Sequence, residues 1–208
     1  MSIDAHRLAA DIQGRTRTEM NIILVGYRCT GKTSVGKKLA EKFRVPFYDT
    51  DALIIERIGK TIKEWVEEKG WESFRQEEKA VIRELVSLDS TVIALGGGAV
   101  LDPENREIIR RNGLILWLAA DVQTIGERMS TDPNNRDLRP PLSKGDLETE
   151  IQATLTERFP LYEQVSDFCV ETKGKSLEAI TEEILNLIRI RNQSLNPDLT
   201  GSRDTPWL

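Results

Sequence analysis

Eight consecutive residues, Gly26-Tyr27-Arg28-Cys29-Thr30-Gly31-Lys32-Thr33, fit the pattern GxxxxGK[ST] at every fixed position. Glycines at those points let backbone N–H groups curl around phosphate oxygens, and a helix beginning there adds its dipole. Lys32 brings a point charge to the β- and γ-phosphates, and Thr33 can offer its hydroxyl to Mg2+. The plainer reading is a glycine-rich turn with an exposed lysine. A second constellation follows in Phe47-Tyr48-Asp49-Thr50-Asp51. Two carboxylates with one residue between them would share a face of a strand. Asp49 can ligate Mg2+, a hard cation that takes oxygen donors. Asp51 can accept a proton from an alcohol. Read alone, Asp51 or Thr50 would only cap a helix starting at Ala52.

Other chemistries lack their residues. The chain has one histidine, His6, in a polar N-terminal segment, so Ser-His-Asp and Cys-His mechanisms and multi-histidine metal sites have nothing to use. Cys29 and Cys169 make neither a disulfide framework nor a CxxC pair. Free thiols suit a reducing cytosol, so a cytoplasmic protein is expected. Twenty-nine Lys and Arg stand against 34 Asp and Glu, a net charge of −5, which argues against nucleic-acid binding through bulk positive charge. No apolar run of membrane-spanning length or secretion-signal type is present, so no membrane partner is expected.

The elements that must position these residues read as short apolar strands alternating with amphipathic helices. Strands are expected at 21–26, near 47–49, and at 90–95, 113–118 and 167–172. Helices are expected after the phosphate loop and at about 61–69, 72–88, 103–112, 121–129, 147–159 and 176–191. Such alternation gives βαβ units and an α/β fold with a parallel sheet covered on both faces. Ligands then bind beyond the carboxyl ends of the strands, where the loops after Gly26, Asp49, Leu95 and Leu118 gather. Residues 1–20 read as an N-terminal extension, 21–190 as one domain and 191–208 as a tail.

A phosphate loop specifies a nucleotide, not an activity. In order along the chain stand GYRCTGKT, FYDTD, FRQEE, ALGGGA, LRPPL and RFPLY. Together they strongly resemble the shikimate kinases, P-loop kinases of aromatic amino-acid biosynthesis, and the likeness runs from about residue 21 to 190. The resemblance implies a five-stranded parallel sheet of order 2-3-1-4-5 flanked by helices, with a mobile lid. It also implies MgATP-dependent phosphorylation of the 3-hydroxyl of shikimate by a monomer.

Roles follow residue by residue. Asp51 matches the acid that binds and deprotonates the hydroxyl. Arg75 and Arg158 match arginines that hold the substrate carboxylate, for which a planar donor fork is suited. Glu78 matches an acid that orients Arg75. Gly96, Gly97 and Gly98 match a glycine run whose backbone approaches the substrate ring. On the nucleotide side stand Gly26, Cys29, Thr30, Gly31, Lys32, Thr33 and Ser34. Arg128 matches a residue that packs on adenine, and Lys175 is placed to reach the base or ribose. Thr33 and Asp49 are the metal candidates. The stretch Ser130 to Asp146 resembles the lid, with Arg139 reaching the ATP phosphates as a catalytic residue beside Lys32 and Asp51, and Arg136 as a second candidate. Two rival readings are a kinase of gluconate or of a nucleoside monophosphate, and a non-enzymatic relative. A non-enzymatic relative would be expected to have lost Lys32, Asp51 or Arg139.

Overall fold

In the computed structural model, residues 20–131 and 146–195 are described. Five strands form one parallel sheet: β1 (Asn21–Val25), β2 (Phe47–Asp49), β3 (Val92–Ala94), β4 (Gly113–Ala119) and β5 (Phe168–Glu171). Their spatial order is β2-β3-β1-β4-β5, as the resemblance implied. Central β1 sets the register, with Ile23 opposite Ile93 on one side and Ile115 on the other.

The unbroken apolar run of β1 reflects burial on both faces. Ile23 and Val25 pack into one cluster with Ile54, Phe74, Ile82, Ile109 and Tyr162. Ile22 and Leu24 point the other way, against Val35, Leu39, Ile180, Ile184 and Ile188. Each such fully buried side chain is worth ~1.5–3 kcal/mol, so the strand that carries the phosphate loop is firmly held.

Seven helices flank the sheet among the described residues: α1 (Lys32–Phe43), α2 (Thr50–Ile58), α3 (Ile62–Val86), α4 (Pro103–Asn112), α5 (Val122–Thr131), α6 (Leu147–Val165) and α7 (Leu177–Leu195). None is long and apolar enough to cross a membrane. The two stretches expected at 61–69 and 72–88 form one span, broken at Gly70, whose φ of 80° and ψ of 167° are not helical. The helix expected to stop at 159 runs on to Val165 with Pro160 inside it. Thr156 and Pro160 both lie on the exposed face, so the carbonyl that proline cannot bond faces water.

The expected sharing of a strand face by Asp49 and Asp51 is not what brings them together. Asp49 ends β2, whereas Asp51 sits in the first turn of α2. The cap is Asp49 rather than Asp51 or Thr50, with Asp49 Oδ1 accepting from the N–H groups of Asp51 (3.1 Å) and Ala52 (3.4 Å). One carboxylate thereby fixes the direction in which the other emerges.

Candidate active site

The loops after β1, β2 and β3 meet at the carboxyl edge of the sheet, where β1 runs into the phosphate loop. Gly26 has φ +139°, a region open to glycine, and a Cβ there would collide with the Leu118 carbonyl. Lys32 Nζ folds back over the loop, donating to Gly26 O (2.8 Å) and Tyr27 O (2.7 Å). Thr30 Oγ1 donates to Tyr27 O at 2.8 Å.

The helix that follows is distinctive. Helices α2 to α7 each have a side chain accepting from a first-turn N–H: Asp49, Thr61, Asp102, Asp121, Asp146 and Ser176. Helix α1 has none; its cap is Gly31, and its first turn carries no acidic residue. Its N–H groups and positive dipole end are left for an anion.

The cleft above this helix end encloses about 760 Å³. Its walls include all the expected nucleotide residues of the loop from Cys29 to Ser34, with Arg128 and Lys175 at the far side. Arg128 is held by the loop and by β5's exit, donating to Cys29 O (3.3 Å), Thr172 Oγ1 (3.0 Å) and Thr172 O (2.9 Å). Lys175 pairs with Glu183 at 2.5 Å.

Thr33 Oγ1 donates to Asp49 Oδ2 at 2.7 Å. These two hard oxygen donors, with Asp49's other oxygen anchored by its capping bonds, fit a Mg2+ ion whose remaining ligands are phosphate and water. No group of three or more His, Cys, Asp or Glu able to hold a metal exists among the described residues.

Beside the cleft lies a smaller pocket of about 60 Å³. Asp51 and Arg28 line both spaces. The pocket brings together the residues expected for the acceptor: Asp51, Arg75, Gly96, Gly97, Gly98 and Arg158, together with Glu78. They come from α2, α3, the loop after β3, and α6.

Arg75 Nη1 is 2.6 Å from Glu78 Oε2, and its guanidinium lies 5.3 Å from the centroids of both the Trp71 and Phe74 rings. Arg158 Nη1 donates to Gly97 O (3.1 Å), and Tyr162 Oη donates to the same oxygen at 2.6 Å. Burial holds the Tyr162 phenol above its usual range, so it remains a donor.

Glu78 is 1% exposed, and burial raises its carboxyl from 4.5 to about 7. Arg75 opposes that rise, and the nearby Asp51 charge adds to it. Oε1 of Glu78 is buried with no hydrogen-bond partner. The glycine run explains the geometry. A Cβ on Gly96 would lie 2.6 Å from Asp51 Oδ1 and 2.9 Å from Glu78 Oε1, and one on Gly98 would strike the Arg75 guanidinium. These glycines therefore make room for the acids and the arginine themselves, a reason that the sequence alone did not supply.

Trp71 and Glu150 are among the residues at the site that were not expected. Trp71 lines the pocket beneath Arg75, and Glu150 pairs with Arg28 at 2.8 Å. Neither lies in a motif; only the closeness of Trp71 to the FRQEE stretch could have hinted at the first. Residues 132–145, with Arg136 and Arg139, lie outside the described residues.

The comparisons agree with this geometry. The family model described as shikimate kinase matches residues 28–189. A shikimate kinase of Syntrophus aciditrophicus (strain SB) is 41% identical over 187 residues, covering 86% of this chain and 94% of the relative. A shikimate kinase of Pelotomaculum thermopropionicum is 38% identical over 172 residues, covering 83% and 97%. The structure of a shikimate kinase from Acinetobacter baumannii in complex with shikimate superposes with a TM-score of 0.79 at 34% identity, covering 84% of this chain and 96% of that one. With the phosphate loop, the paired acids, the arginines and the glycine run in one place, the chain belongs to the shikimate kinase family.

Proposed function

We propose that this protein transfers the γ-phosphoryl group of ATP to the 3-hydroxyl of shikimate, giving shikimate 3-phosphate and ADP. The observation that carries the reading is that Asp51 lines both the nucleotide cleft and the pocket holding Arg75 and Arg158. An acid at that junction can serve the bond that forms between the two ligands.

The loop N–H groups, the α1 terminus and Lys32 hold the phosphates. Arg75 and Arg158 grip the shikimate carboxylate, and Glu78 and the Trp71 face keep Arg75 aimed. The 3-hydroxyl oxygen attacks the γ-phosphorus, the bond from that phosphorus to the β–γ bridging oxygen breaks, and the hydroxyl proton passes to an Asp51 carboxylate oxygen. Mg2+, when bound, supplies positive charge against the phosphate oxygens; Thr33 and Asp49 are the residues that would hold it. Arg139, Arg128 and Lys175 complete the ATP-binding set, with Arg139 stabilising charge on the transferring group. The catalytic domain spans 21–190 and acts as a monomer in the cytoplasm.

A coupled assay of ADP release tests the assignment, with MgATP and either shikimate, gluconate or a nucleoside monophosphate. Turnover with shikimate above the acceptor-free background is expected. Folded protein giving no such turnover would reject the proposal.

A further inference from the structure

Arg28 occupies a position that the phosphate-loop pattern leaves free, yet it is almost fully buried. Its Nη2 donates to Glu150 Oε1 at 2.8 Å, with the two side chains 8% and 6% exposed. The partners are 122 residues apart. Taking two charges out of water is costly, and apolar residues of similar volume often stabilise a fold as well or better. What such a pair adds is direction: a charge-assisted bond of fixed geometry between two elements.

The element it reaches is α6. Glu150, Thr154, Arg158 and Tyr162 recur at every fourth residue along one side of that helix, and all four are buried. This polar stripe is bound to the site at both ends, with Thr154 between them donating to Glu150 O of its own helix. Glu150 accepts from Arg28 of the phosphate loop, while Arg158 and Tyr162 both donate to Gly97 O. The loop in turn rests on the glycine run, with the Arg28 backbone nitrogen 3.4 Å from where a Gly97 Cβ would stand.

We propose that the Arg28–Glu150 ion pair is a positioning strut that holds α6, the carrier of Arg158, in register with the phosphate loop. It thereby sets the separation between the donor phosphate and the acceptor. The inference rests on the acceptor role proposed for Arg158. The pair acts through the elements that it joins: Glu150 lines neither space, and its bond to Arg28 fixes α6 against the loop. Because a displacement of about 1 Å can cost about 10²-fold in rate, the strut acts on turnover more than on the binding of either substrate.

The full-length protein is compared with Glu150→Ala and Glu150→Gln. The alanine variant is expected to lose at least about tenfold in kcat, with both KM values within about threefold of wild type. The glutamine variant keeps an oxygen that accepts from Arg28 and is expected to recover to within about threefold. Unchanged kcat in folded Glu150→Ala, or an equally deep loss in Glu150→Gln, overturns the strut. Should the alanine variant fail to fold, the double variant Arg28→Met/Glu150→Leu fills the space without a directed bond; wild-type kcat there overturns it too.

A second measurement needs no acceptor. Binding of MgADP should slow amide exchange in both 26–33 and 147–158 of the wild type, and only in 26–33 of the variant. Equal protection of 147–158 in both proteins, or none in wild type, overturns the proposal. Wild-type protein with this exchange pattern but no turnover of shikimate rejects the acceptor assignment and leaves the strut standing.

Discussion

The nucleotide cleft and the acceptor pocket share one sheet edge but are built from different material. At its phosphate end the cleft is backbone: consecutive N–H groups of residues in the loop and the uncapped start of α1, with Lys32 bound to two of the loop's own carbonyls, while the Arg128 and Lys175 side chains line its far side. The pocket is side chains: Asp51, Glu78, Arg75 and Arg158 from three helices, with Arg28 of the phosphate loop also in its lining, fitted around glycines that leave space for the acids and Arg75. Backbone recognition comes from a local conformation and so needs a contiguous motif. Side-chain recognition needs the whole fold to be right, because Asp51 and Arg158 are brought together from distant parts of the chain.

This contrast can be broken by experiment. The largest effect is expected from Asp51→Asn, which should lower kcat by about 10³-fold, within the range for a positioned general base. Calorimetry should find MgATP binding within about twofold of wild type; a comparable loss of nucleotide affinity would mean that the two spaces are not separable.

Next is proton linkage at Glu78. Its unfolded carboxyl titrates near 4.5 and its folded one near 7. Between those values the folded state keeps a proton that the unfolded state has released, so stability falls as pH rises, by about 3 kcal/mol in all. Denaturant titrations at pH 4.5 and 8 should show this fall in wild type and not in Glu78→Gln. Equal slopes would deny the acceptor pocket its buried acid.

Arg75→Lys should raise the shikimate KM by about tenfold or more with kcat within a few-fold, because an ammonium cannot replace the planar fork. An unchanged KM would remove Arg75 from the carboxylate grip. The smallest effect belongs to the cleft. Cys29 holds φ at +60°, which costs a residue with a Cβ ~1–2 kcal/mol. Replacing it by glycine relieves that strain but loosens the unfolded chain. The expected net gain is ~1 kcal/mol or less, read as a rise in melting temperature with both KM values little changed. A large rise in the ATP KM would show that this side chain, and not only the backbone, serves the cleft.

The same contrast accounts for what could be read from the residues alone. The phosphate loop was legible from eight adjacent letters. The residues that line the smaller pocket could be grouped only as an ordered set, since Arg75 or Arg158 taken singly looks like a surface charge. The boundaries of α6 were misjudged because proline ordinarily ends a helix, and nothing local shows that Pro160 would face water. The relation of Asp49 to Asp51 differs from the one their spacing implied because the strand ends at Asp49, two residues before Asp51, making the first a cap for the helix that bears the second. Glu150 was invisible, since its partner lies 122 residues away.

All five strands run the same way, and this has a practical side. The groups of the phosphate loop and of the smaller pocket cluster at one rim, while the turn before β3, from Ser87 to Thr91, sits at the other. Asp89 and the exposed Leu88 in that turn offer an attachment point for a dye or a solid support, one from which a tether would leave the entrance for both reactants open.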